Sequence, residues 1–311
     1  MTEANVQADK WGEGISPDQS VGDVAHRILR GRLGAVVYWL PLAAERSAED
    51  VEYVHQLRIA TRRAVEAVRV FRDLMSDPAY DELRAGLRAV RRAADGARNW
   101  DVLCQQLGPC ADAAGSEVRR KIIEQIQARR QAAQEPIRAV REEFAASRFE
   151  DLVAAVLGDV QSARPEHAKR RFDRLARRYL KPLAKKFLRD FQADLSHDDA
   201  LHNLRIRAKK LRYAMEIVAV AFQPALRTVL YPQISALQDI LGMVNDHAMT
   251  RALFQEWLLE SQEAETRAFL EGLVLAETRA HNDIRRIFVK QWTAKSRAGL
   301  ARRFRRYCRR R

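Results

Sequence analysis

The stretch Val54-His55-Gln56-Leu57-Arg58-Ile59-Ala60-Thr61-Arg62-Arg63 returns in altered form as Leu201-His202-Asn203-Leu204-Arg205-Ile206-Arg207-Ala208-Lys209-Lys210-Leu211-Arg212-Tyr213-Ala214, an offset of 147 residues from His55 to His202. Both copies carry helical periodicity. At about 100° per residue, Leu57, Ala60, Ala64, Val68, Phe71 and Met75 fall on one side, wide enough to pack against other helices. Opposite them lie His55, Arg58, Arg62 and Arg69, with Glu66 among them and Arg63 nearby. The second copy sets Leu204, Leu211, Met215, Val218 and Phe222 against His202, Arg205, Lys209 and Arg212, with Tyr213 and Glu216 beside the cations.

Working outward, nearly every window has the same period. Helices are expected over about 21–40, 49–75, 78–96, 99–108, 116–146, 148–160, 167–194, 198–222, 224–242, 246–260, 263–282 and 284–308. Punctuation falls at Pro41, Asp77-Pro78, Gly108-Pro109, Gly115, Arg164-Pro165, Gln223-Pro224 and Tyr231-Pro232. No run of alternating β-branched residues interrupts them, and thirteen Gly and nine Pro are too few for a turn-rich β fold. The expected fold is all-α. A second match, Arg98-Asn99-Trp100-Asp101 against Asn245-Asp246-His247-Ala248, keeps the offset of 147, so the chain reads as an internal duplication of a unit of about four helices. Such helices with short connections pack as antiparallel bundles, here two in tandem with pseudo-symmetry. The expected division is a flexible polar tail over 1–19, a first half over 20–162, a second half over 166–306 and a basic end over 307–311.

With 55 Lys and Arg against 41 acidic residues the formal charge is +14, which favours a polyanionic partner. A cationic helix face reads either as a solvated surface or as an anion site. Like charges at i, i+4 repel, so Arg58 with Arg62 calls for compensation. The same sign at matching positions of both copies favours the anion site. Guanidinium grips phosphate bidentately and ammonium as a point charge. His55 and His202 open their rows as further donors, more so as pH falls. From Glu166 to Asp194 ten basic residues stand against four acidic ones, and seven of the last ten residues are Arg. That end reads equally as an electrostatic arm or as the solvated end of a terminal helix holding Phe304 and Tyr307.

Several functions are disfavoured. Cys104, Cys110 and Cys308 are odd in number and lack metal-site spacing, which points to a reducing, cytoplasmic compartment without a zinc site. The N-terminus has no apolar signal region, and Ala35–Ala44 is half a membrane span. No cofactor, metal ligand set or catalytic residue is expected: there is no GxxxxGK loop, and His197 and His202 lie about 140° apart on a helix. Nucleic acid is the rival polyanion, but these rows interleave only Tyr213 for base stacking. Oligomeric state is not readable.

Three stretches together resemble the CHAD family of helical proteins. Residues 54–63 are similar to its VHQxRVATRR motif and residues 201–214 to LHxLRIxxKKLRYA. Leu237-Gln238-Asp239-Ile240-Leu241-Gly242 followed by Asn245-Asp246 is similar to LQxxLGxxND. The resemblance implies two four-helix bundles around a basic groove, inorganic polyphosphate as ligand without catalysis, and association with polyphosphate granules. It implies that His55, Arg58, Arg62, Arg63, His202, Arg205, Lys209, Lys210 and Arg212 line the groove; the helical projection adds Arg69 and Tyr213 as candidates. Arg27, Arg30, Arg174 and Arg177 are more peripheral candidates. Asn99 stands where the family motif has Asp, and Asp95 where it has Gly. Arg207 takes a position expected near the buried side. Many relatives carry a fused CYTH domain marked by ExExK on a strand; Glu263-Ala264-Glu265-Thr266-Arg267 imitates it within a helical segment.

Overall fold

The computed structural model describes residues 10–107, 117–146 and 149–308. They form an all-α protein whose helices are α1 (Val21–Glu45), α2 (Glu52–Val70), α3 (Asp77–Leu107), α4 (Glu117–Ala132), α5 (Glu135–Ala146), α6 (Phe149–Gln161) and the short α7 (Pro165–Ala168). They continue as α8 (Phe172–Gln192), α9 (Asp198–Val218), α10 (Tyr231–Glu260), α11 (Ala264–Gln291) and α12 (Ala294–Tyr307). The described residues contain no strand; Ser20 and Arg171 make one isolated antiparallel bridge. None of their helices is long and apolar enough to cross a membrane.

The chain divides into two compact units. The first comprises Met1–Pro109, Gln125–Tyr179 and Glu216–Ala221. Within it α1 packs against α2, α5, α6 and α7, and α2 against α3. Ser20 starts α1 by accepting the Asp23 amide at 3.1 Å on its hydroxyl, which satisfies one of the donors left open at a helix N-terminus. The apolar stripe of α2 is the buried one: Leu57, Ala60, Ala64, Val68, Phe71 and Met75 are all buried, and Phe71 stacks on Phe172 with centroids 6.5 Å apart.

The second unit comprises Cys110–Glu124, Leu180–Met215 and Phe222–Arg311. A π-helical turn, Leu226–Leu230, leads into α10, which packs along α11. Leu204, Leu211 and Met215 of α9 are buried. Phe187 and Phe191 of α8 hold α12 and its approach through Phe304 and Trp292, at centroid distances of 6.0 and 5.3 Å. The Arg-rich end is thus a docked terminal helix as far as Cys308; residues 309–311 lie outside the described part.

Several expected breaks are absent. α1 continues through Pro41, because a proline so close to the end removes only a late backbone bond while Ala43 and Ala44 remain to be buried. α3 runs unbroken through Gly96, and α10 through Gly242. A helical glycine costs about 1 kcal/mol, which tertiary packing overrides. Residues 10–19, read from sequence as part of a flexible tail, are packed: Ile15 is buried, Arg32 donates to the Lys10 carbonyl at 2.7 Å, and the amides of Phe172 and Asp173 donate to the Gln19 and Pro17 carbonyls.

Candidate polyanion-binding faces

In the first unit the cationic side of α2 meets α3. Arg58 donates through Nε to Asp95 Oδ1 at 2.9 Å, and Arg62 through a terminal nitrogen to the same oxygen at 2.6 Å. Asp95 is therefore the compensation that two arginines four residues apart require. On α3, Arg84, Arg91, Asp95 and Arg98 follow one another at spacings of seven, four and three, which is one helix face. All four are partly shielded from solvent. Arg84 Nε, Arg91 Nε and one terminal nitrogen of Arg98 are shielded and lack hydrogen-bond partners, as is His55 Nδ1. Sequence reasoning missed this second cationic row because it projected only the two histidine-led helices; the period of Arg84, Arg91 and Arg98 was the available signal.

Burial lowers the pKa of His55 below its ordinary value; Arg98, Arg58 and Arg62 act in the same direction, and Glu52 opposes them. His55 is thus neutral at pH 7, with its imidazole among guanidinium groups. Two consequences follow by linkage. The unfolded chain binds more protons than the folded one just below pH 6.5, so His55 costs the fold stability as pH falls through that range. A bound polyanion reverses the balance by favouring the protonated ring. Polyanion affinity is expected to rise between pH 7.5 and 5.5, by at most about tenfold per pH unit for one proton. His55→Gln should flatten that rise in titrations at constant ionic strength.

The other predicted residues of this unit have different surroundings. Arg63 donates to Glu216 at 2.8 Å, and that carboxylate is 1% exposed. Glu66, projected onto the cationic face, is buried; it accepts the Tyr179 hydroxyl at 2.7 Å and lies 3.4 Å from Arg69. The Tyr179 phenol is held far above its ordinary pKa by burial and by that carboxylate. Arg177 is fastened to buried Asp173 at 2.8 Å, while Arg174 is exposed. Arg27 and Arg30 are exposed on α1, and Arg27 donates to the Glu13 carbonyl at 3.0 Å.

In the second unit His202 lies 3.2 Å from the Asn245 side-chain oxygen, 43 residues along the chain. The same separation relates His55 to Arg98, whose charge acts on it. Arg212 donates to Gln238 at 2.8 Å and to the Tyr231 hydroxyl at 3.0 Å. Arg205, Lys209 and Lys210 are partly exposed on α9. Tyr213 is buried, and its ring lies 4.5 Å from the Arg212 guanidinium carbon, so it supports that side chain and does not stand on the exposed row. Arg207 is exposed and pairs with Asp190 at 3.2 Å, away from the buried side where the motif suggested it.

Chemistry beyond anion binding has few candidates here. Among the described residues no group of three or more His, Cys, Asp or Glu is placed to hold a metal ion. Burial raises the pKa of Cys104, and pushes that of Cys308 up to about 12; Cys110 lies outside the described residues. A cleft of about 350 Å³ in the first unit is lined by residues including Val37, Leu40, Phe144 and Phe149, and it shares no residue with the cationic rows.

The family model described as CHAD domain matches residues 27–255, which contain the cationic rows of α2, α3 and α9 but not the Arg-rich α12. The chain belongs to the CHAD domain family. That family is associated with polyphosphate. Among solved structures, the CHAD domain from the plant Ricinus communis is similar at 21% identity with a TM-score of 0.70, covering 93% of this chain and 94% of that one. PptA from Streptomyces chartreusis is similar at 18% identity with a TM-score of 0.62, covering 88% of this chain and 99% of that one. At these identities the two likenesses establish a CHAD fold. No curated protein matches the chain.

Proposed function

We propose that this CHAD protein binds inorganic polyphosphate without catalysing its turnover. The ligand lies along the cationic faces of α2 with α3 and of α9 with α10. The observation that carries this reading is that each histidine-led helix presents a cationic row toward a partner helix at the same 43-residue separation, His55 with Arg98 and His202 with Asn245. Membership of a family associated with polyphosphate supports it. Arg58, Arg62, Arg91, Arg98 and His55 serve the first face, and His202, Arg205, Lys209, Lys210 and Arg212 the second. The binding is electrostatic: phosphoryl oxygens replace the water and counter-ions around guanidinium groups, so affinity falls steeply with salt, as it does for other polyanions.

The test is thermal unfolding with long-chain polyphosphate at low salt, combined with a phosphate-release assay. A ligand bound only to the native state, at a hundred times its Kd, stabilises by about 2.7 kcal/mol. For a chain of this size that is a rise on the order of 5 °C. No rise in Tm, or steady release of phosphate, overturns the proposal. Preference for mixed-sequence duplex DNA in competition at ~150 mM salt overturns the choice of ligand.

A further inference from the structure

We infer that Asp95 is a built-in counter-ion of the first cationic face, held where a phosphoryl oxygen would otherwise bind, and that it lowers the affinity of that face. The inference rests on the polyphosphate reading above. One carboxylate oxygen, Oδ1, receives both Arg58 and Arg62, as a charged non-bridging phosphoryl oxygen does. The Asp95 side chain is 36% exposed, so it can swing into water when an outside anion takes its place. The two arginines, 26% and 17% exposed, stay within reach of solvent.

The second half of the chain shows the alternative. At the offset of 147 residues Asp95 corresponds to Gly242, in the interior of α10. A Cβ added at Gly242 meets no atom within 4 Å, so packing does not demand glycine there. A glycine inside a helix costs about 1 kcal/mol, and with no steric need its remaining effect is to leave the backbone open to close approach. The first half fills the corresponding place with negative charge. A polyvalent chain can displace that carboxylate through simultaneous contacts elsewhere, whereas a single phosphate must compete with a tethered rival.

The experiment measures long-chain polyphosphate affinity of the full chain, wild type beside Asp95→Asn and Gly242→Asp, over a range of salt. Asp95→Asn keeps the side-chain volume and an acceptor while removing the charge. It is expected to bind about tenfold more tightly, ~1.4 kcal/mol, with a salt dependence steeper by about one phosphate contact. Gly242→Asp, placed into open space, is expected to bind about tenfold more weakly. Circular dichroism checks helicity in both. If wild type binds while Asp95→Asn binds equally or more weakly, the counter-ion role is wrong and the polyphosphate reading stands. Should Asp95→Asn fail to fold, unchanged affinity in Gly242→Asp overturns the inference. If wild type does not bind, the polyphosphate reading falls, and this inference with it.

Discussion

Arg58→Glu combined with Arg205→Glu is expected to lower polyphosphate affinity at least about a hundredfold while leaving the helical content unchanged. Hydrogen bonds to charged groups contribute about 1.5–3 kcal/mol each. Removing one such contact from each unit already reaches 3 kcal/mol at the lower bound, and reversal adds repulsion from the phosphate chain. Neither side chain belongs to the apolar stripe of its helix, so the packing of Leu57, Ala60 and Leu204 is untouched. Arg62 remains beside Asp95 at 2.6 Å and tempers the new carboxylate at position 58. A control separates local contact from overall charge: Arg303→Glu with Arg305→Glu, on exposed positions of α12, removes the same amount of charge. Titration of both double variants should show large loss in the first and at most a severalfold change in the second. Equal losses would mean that net charge, not the histidine-led rows, governs binding.

The all-α fold is legible because each helix must hide one stripe, and apolar spacing reveals it. Every residue projected onto the apolar sides of the two histidine-led helices is buried, from Leu57 to Met75 and from Leu204 to Phe222. Helix ends are less legible because a lone proline or glycine imposes a local cost that packing absorbs, as at Pro41, Gly96 and Gly242. The cationic rows can be projected from sequence, but their counter-ions cannot. Periodicity gives the sign of charge along one helix and is silent about what another helix brings up to it. Asp95 is 37 residues from Arg58, Tyr179 is 113 from Glu66, and Glu216 is 153 from Arg63. Only the partner separates Arg62, bonded to a partly exposed carboxylate, from Arg63, bonded to a buried one. Burial is equally hidden from the projection: one position past Arg212, Tyr213 lies at the edge of the projected arc, and the fold buries it.

Arg130→Met is expected to destabilise the first unit by about 3–5 kcal/mol. Arg130 donates to Asp101 Oδ1 at 2.7 Å, and the Asp101 side chain is 0% exposed. Its other oxygen is shielded and has no hydrogen-bond partner. Methionine therefore leaves a carboxylate that must either stay charged in an apolar setting or take up a proton. Adding Asp101→Leu removes the stranded charge and should recover most of the loss, because a buried pair replaced by apolar groups is often close to neutral. Denaturant unfolding of wild type beside both variants measures this. The pair fastens α3 to α4 one turn beyond Arg98, so polyphosphate affinity should follow the same order, weakened in Arg130→Met and restored in the double variant. If affinity stays low in a double variant of recovered stability, Arg130 itself touches the ligand, and the cationic face extends along α4.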